Sequence, residues 1–243
     1  MLPQARPSGV SAYIGGVLAA HLSPAEHLMS VAPFGVVVAV VGRQAFAADP
    51  VPRAPLSSSM AAVDRSTRIV AMFGVVGLCA AFAQGGLDNW APLHLRADLG
   101  VSDGLAAAGY GAVQGAMALG RLAGVTLVAW TGAGAVLRIG GVTACAGTTL
   151  AALTPWPWLA LTGLAIAGLG LANLFPLAVG AAGARGGASG VAVATTLGYG
   201  GILLAPPAIG FAAEAGGLPR ALLLVPVLVA TATAVGHALR RHL

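Results

Sequence analysis

An all-α integral membrane protein of about seven transmembrane helices is what this sequence predicts, and three observations predict it. Charged residues make up only 8% of the 243 positions, against 58% hydrophobic ones. A soluble domain carries roughly 25% charged residues, so this chain cannot cover a water-facing surface. Apolar runs of about 20 residues, each long enough to cross ~30 Å of hydrocarbon, recur along the chain. The 12 basic residues are all arginine and sit mostly at the ends of those runs.

Seven runs qualify as spans: 26–43, 68–95, 104–129, 136–155, 157–182, 189–213 and 218–239. An eighth, Gly9–Leu22, is too short to cross comfortably. Arg6 followed by Val10–Ala20 imitates a signal peptide, with Ala19 and Ala20 as small residues near a cleavage point. The other reading is the back end of a helix whose front is missing. Between the first two spans lies the Pro- and Ser-rich, mixed-charge stretch 44–67, which cannot bury itself and reads as a linker. Residues 1–43 before it read as a partial helix plus one transmembrane helix, and 68–243 after it as a six-span unit.

The remaining breaks follow in order. In "RADLGVSDG" (Arg96–Gly104) Ser102 is suited to cap the next helix, with Asp103 in its first turn. "TPWPW" (Thr154–Trp158) is a tight reversal with two tryptophans at headgroup depth. "GARGG" (Gly183–Gly187) and "EAGGLPR" (Glu214–Arg220) close the set.

Placing the linker in the cytoplasm puts Arg6, Arg43, Arg53, Arg65, Arg68, Arg121, Arg138, Arg185, Arg240 and Arg241 on the inner side. Only Arg96 and Arg220 fall outside. The expected location is therefore the plasma (inner) membrane, multi-pass, with the C-terminus cytoplasmic. The lipid bilayer is the first partner implied. No basic patch interleaved with aromatics occurs, so nucleic acid is not an expected partner. Cys79 and Cys145 lie alone inside apolar runs, without a CxxC or a Cys/His cluster, and read as small buried hydrophobes.

Polar residues inside spans ask for a reason, because they are costly in hydrocarbon. Gln84 and Asp88 are four apart, hence on one helix face, with Asn89 and Trp90 following. Tyr110 and Gln114 repeat that spacing in the next span, as do Thr195 and Tyr199 later, and Asn173 stands alone in "GLGLANLFP". Two readings compete. One is interhelical hydrogen bonding between packed helices; the other is a water-accessible cavity lined by these stripes. Asp88 could also sit near the outer interface. Gly111/Gly115 and Gly120/Gly124 make small-xxx-small steps that favour close helix packing. Pro92, Pro176, Pro206 and Pro207 mark kinks or span ends. No GxSxG, HExxH or phosphate loop occurs, so no enzyme and no cofactor is expected.

The stretch "GRLAGVTLVAWTGAGAVLR" (Gly120–Arg138) resembles the loop between the second and third helices of the C-terminal half of major facilitator superfamily transporters. A pattern like G-R-x-x-G-D-R-x-x-x-R-x-G-x-x-x-x-L-R is usual there. This chain keeps Gly120, Arg121, Gly124, Gly132, Leu137 and Arg138. "DNWAPLHLR", "GLGLANLFPL" (Gly168–Leu177) and "LGYGGILLAPPAIGFAAEA" (Leu197–Ala215) agree in order, and together they look like the sugar-permease-like bacterial branch. The resemblance implies a C-terminal six-helix bundle over 68–243, with an apparently truncated N-terminal half before it. It implies secondary active transport of a small polar organic solute by alternating access, this chain carrying one half of the carrier. Gln84, Asp88, Asn89, Trp90, Tyr110, Gln114, Asn173 and Tyr199 are the expected substrate-binding residues. Gly120, Arg121, Gly124, Gly132 and Arg138 are the expected gating motif.

Departures from the pattern matter. Val125, Thr126, Trp130 and Gly134 stand where the family has charge, leaving the cytoplasmic latch with Arg121 and Arg138 alone. Gln84 and Asn89 stand where acidic residues are common, so proton coupling would fall to Asp88. The missing half or a homodimer would complete the cavity. The alternative is a truncated, non-transporting membrane fragment. A seven-helix receptor or membrane enzyme lacks a supporting motif.

Overall fold

The computed structural model describes residues 60–242, besides the isolated positions Met29 and Pro33. The expected span 26–43 and the short run 9–22 therefore lie outside the described residues, as does most of the 44–67 linker. The described residues 60–242 belong to one compact unit. All regular structure among the described residues is helical: α1 Met60–Ala97, α2 Asp103–Thr131, α3 Ala133–Leu153, α4 Pro157–Leu171, α5 Leu174–Gly216, α6 Leu218–Ala221 and α7 Leu224–Ala238, then a 3₁₀ turn Arg240–His242. The backbone of α1 begins at Met60, inside the stretch read as linker.

Among the described residues, five apolar stretches are long enough to cross a bilayer: Thr67–Ala97, Asp103–Thr131, Ala133–Leu153, Pro157–Gly216 and Leu218–Ala238. The fourth has 60 residues, about twice what ~30 Å of hydrocarbon needs. It is folded in two at Gly187, whose φ of 57° and ψ of −142° lie outside the helical region. Only glycine occupies that conformation without a Cβ penalty. The two limbs then run back along each other: a Cβ at Gly183 would lie 2.8 Å from Val191 Cγ2. Ser189 Oγ donates to Gly186 O at 2.8 Å and ties the reversal. The described residues thus supply six crossings, with 157–186 and 188–216 as the fourth and fifth.

The fourth crossing is itself broken at Ala172–Asn173, between α4 and α5, and the sixth at Leu222–Leu223, between α6 and α7. Each break lies three to four residues before a proline, Pro176 and Pro226, whose missing N–H leaves the carbonyl of Ala172 or Leu222 without its i+4 donor. The turn from α2 to α3 is a single residue. Gly132 (φ 81°) donates its N–H to Val128 O at 2.9 Å, while its carbonyl accepts from Ala135 N and Val136 N at 3.2 Å. At the start of α2, Ser102 Oγ accepts from Leu105 N at 3.4 Å, with Asp103 in the first turn.

The first crossing sits deepest, packed mainly on α5 and also on α7 and α2, while α3 pairs with α4 and α7. Its apolar side chains Phe73, Val76, Leu87 and Leu95 are fully enclosed; Leu87 and Leu95 share one cluster with Leu174, Ile209, Val225 and Val229 of α5 and α7, while Phe73 and Val76 belong to two smaller ones. Between α3 and α4 the backbones touch, because small residues face one another. A Cβ at Gly147 would lie 2.6 Å from Gly163 O, and one at Gly163 would lie 2.7 Å from Gly147 O and Ala151 N. This is the close approach that substitutes for hydrophobic drive inside lipid. The sequence pattern assigned that role to Gly111/Gly115 as well. There it fails: a Cβ at either would meet nothing within 4 Å, so they face open space.

Candidate functional site

Three of the expected site residues converge between the first two crossings. Gln114 Nε2 donates to Tyr110 OH at 2.5 Å and reaches the Asp88 carboxylate at 3.4 Å and 3.5 Å. The i,i+4 spacing on α2 stacks Tyr110 over Gln114, and α1 presents Asp88 opposite. Gln84 lies one turn before Asp88 on the same face of α1. All four of Gln84, Asp88, Tyr110 and Gln114 are half-buried. Gly111 and Gly115 leave open space along the strip of α2 beside the pair. An acidic group with two long contacts keeps lone pairs available for a donor, hydroxyl or amine, from a solute.

The other expected site residues are spent differently. Asn89 is exposed and its Nδ2 turns back to Gly85 O at 2.8 Å on its own helix. Trp90 lays its ring against the second limb of α5, where a Cβ at Gly210 would sit 3.3 Å from Trp90 Cζ2. Its Nε1 is enclosed without an acceptor among the described residues. Tyr199 is 65% exposed on that same limb. Asn173 is the largest departure from a cavity-lining role. It sits in the α4–α5 break and donates from Nδ2 to Gly120 O at 2.8 Å.

That bond joins Asn173 to the gating motif. Gly120 lies against Ala172, and Gly124 is buried against the Asn173 side chain, whose Cγ would be 2.7 Å from an added Cβ. Arg121 Nε donates to Ala172 O at 3.4 Å. Ala172 O, at the break, and Gly120 O, in mid-α2, are thus each met by a side chain across the seam. Gly132 supplies the α2–α3 turn, and Arg138 lies exposed on α3 with Nε donating to Gly134 O at 3.2 Å.

One polar tie was not singled out from the sequence. His94, only 3% exposed, is held between Asp98 Oδ2 (2.7 Å from Nδ1) and Ala151 O (3.1 Å from Nε2). It links the end of α1 to the end of α3. The His-x-x-x-Asp spacing was the available signal; the Ala151 carbonyl was not foreseeable. On the opposite side of the loop Arg96 pairs with Asp103 at 3.1 Å, in an exposed position.

No family model matches the chain. It is 36% identical over 168 residues to "Membrane protein MosC" of Rhizobium meliloti, covering 67% of this chain and 41% of that protein. It is 33% identical over 162 residues to an "uncharacterized MFS-type transporter" of Yersinia pestis, covering 65% of this chain and 42% of the relative. An "uncharacterized transporter" of Sinorhizobium fredii is 28% identical, over 70% of this chain and 46% of its own length. The chain thus spans somewhat under half the length of these relatives. The fold is similar to the crystal structure of the E. coli fucose:proton symporter FucP. The TM-score is 0.73 at 17% identity, over 98% of this chain and 62% of that one. A structure of FucP in the outward conformation gives a TM-score of 0.72 at 18% identity, over 94% of this chain and 60% of that one.

Proposed function

Since this chain belongs to the major facilitator superfamily, we propose that residues 68–243 form the C-terminal half of a secondary transporter for a small polar organic solute. Such carriers work by alternating access around a site at the bilayer midplane. One observation carries the reading: an acidic side chain, Asp88, half-buried in an apolar bundle and met among the described residues by the long Gln114 contacts. The open strip along Gly111 and Gly115 supports it, since a residue used purely to bind two helices together would be closed over.

In this reading Asp88, Gln84, Gln114 and Tyr110 meet the solute, and Trp90 stiffens the wall behind them. Asn89 and Tyr199 approach from the exposed surface. Asn173 works with Gly120, Arg121 and Gly124 at the α2–α4 seam, where movement of α2 would be controlled. The linker and C-terminus lie in the cytoplasm, and the protein resides in the inner membrane, as the arginine distribution favours.

The test is uptake of a labelled metabolite panel by cells expressing the protein from its native gene, compared with Asp88→Asn. Asparagine keeps the shape and the Gln114 contact but removes the charge. Uptake of the transported solute is expected to fall to background while the melting temperature in detergent stays within a few degrees of the parent. If Asp88→Asn lowers the melting temperature yet leaves uptake and its pH dependence unchanged, the cluster is interhelical bonding and the reading fails.

A further inference from the structure

A second feature stands apart from the Asp88 cluster, on the outward face of α3. Ala135, Arg138, Ile139, Val142 and Thr143 form a shallow, laterally open depression along a single face of α3. These positions follow the i, i+3, i+4, i+7, i+8 spacing, so they form one continuous strip along the helix. Ile139 and Val142 are 57% and 65% exposed. The opposite face of α3 is occupied by Gly140, Gly141 and Gly147, packed on α4 and α7.

Charge and apolarity are ordered along this strip. Arg138 lies roughly 9 Å along the axis from the Gly132 turn, by the helical rise per residue. Its Nε bonds Gly134 O, one turn back toward that turn, so the guanidinium is drawn toward the membrane surface. Its terminal nitrogens have no other partner among the described residues. Trp130, 82% exposed beside the turn, marks the headgroup level. From Arg138 the strip continues away from the turn past the exposed side chains of Ile139 and Val142, into the hydrocarbon. At one end is a planar cation with unused donors; along the rest is an exposed apolar face.

We propose that this strip seats an anionic glycerophospholipid of the bilayer, its phosphate on the Arg138 guanidinium and one acyl chain along Ile139 and Val142. The planar fork matches phosphate oxygens in a bidentate manner. Lipid is the occupant because the strip opens sideways at membrane depth, and charge complementarity selects the anionic class. Near the α3 end of the gating motif, a bound lipid would fix the α2–α3 turn against the headgroup plane.

The experiment uses the full chain purified in a mild detergent. Bound lipid is read by native mass spectrometry after equilibration with phosphatidylglycerol, phosphatidylcholine or glycerol 3-phosphate. Retention of phosphatidylglycerol over phosphatidylcholine is expected to be about fivefold, the ratio one interfacial basic residue supplies. Arg138→Gln, an exposed change with little bearing on folding, should abolish that preference. Arg241→Gln should leave it. Val142→Trp, which fills the depression but keeps the charge, should reduce retention of both lipids. Glycerol 3-phosphate should not compete, since it has a phosphate and no chain. Equal retention of the two lipids by the parent would overturn the proposal. So would an equal fall in Arg138→Gln and Arg241→Gln, or full competition by glycerol 3-phosphate.

Discussion

Replacing Gly147 by alanine should destabilise the bundle, and replacing Gly111 by alanine should not. The added methyl at Gly147 would lie 2.6 Å from Gly163 O and 2.9 Å from Ile166 C. Ordinary carbon contacts need roughly 3.5 Å. The nearest obstacle, Ala167 N at 2.4 Å, is backbone like these two, so no side-chain rotation removes them, and α3 and α4 must move apart by about 1 Å. A gap of that size forfeits about a quarter to a half of each dispersion contact along the seam. Overpacking of this kind costs about 1–3 kcal/mol. For a chain of this size that corresponds to a fall of about 4–8 °C in melting temperature for a 2 kcal/mol loss. At Gly111 a methyl meets nothing within 4 Å, so only helix propensity changes, by up to about 1 kcal/mol in favour of alanine. Thermal unfolding of both variants in one detergent gives the sign directly. A Gly147→Ala protein as stable as the parent, or a Gly111→Ala protein that falls equally far, would refute the backbone-contact account of the α3–α4 seam.

Other expectations follow from the same geometry. Gly187→Ala should cost about 1–3 kcal/mol through backbone strain alone, since nothing lies within 4 Å of the site. Gly180→Ala, equally open but with helical neighbours, should be neutral; the two melting temperatures decide it. Asn173→Ala should remove the bond to Gly120 O and lower stability by about 1 kcal/mol, the scale of interhelical bonds in membranes, read as a shift of about 2–4 °C. A cysteine introduced within residues 44–59 should resist membrane-impermeant thiol reagents in intact cells and react after permeabilisation; prompt labelling in intact cells would invert the orientation.

How much of this was legible in the sequence depended on whether the information was local. Apolar length marked the crossings, and the polar, glycine-rich "GARGG" marked the reversal that a hydropathy window alone runs through, as the 60-residue stretch illustrates. Ser102 capped α2 because a cap is decided within three residues. What escaped was register between distant segments. The small-xxx-small rule selected both Gly111/Gly115 and Gly120/Gly124, but only the second faces a partner, and no spacing rule says which face is turned inward. Asn173 drew attention as a polar residue in an apolar span. Its partner, the Gly120 carbonyl, is 53 residues away and invisible to any local pattern. The same limit hid His94, whose Ala151 contact spans 57 residues. By contrast, the i,i+4 pairs on α1 and α2 supplied the faces, and the fold brought Asp88 and Gln114 opposite one another.

The single-residue joint at Gly132 has a mechanical meaning. With no slack between them, α2 and α3 cannot tilt independently. The Asn173 and Arg121 bonds bolt α2 to the fourth crossing, and the glycine seam bolts α3 to it as well. The second, third and fourth crossings therefore behave as one plate, and whatever restrains the rim of that plate at the α2–α3 corner restrains the wall carrying Gln114 and Tyr110.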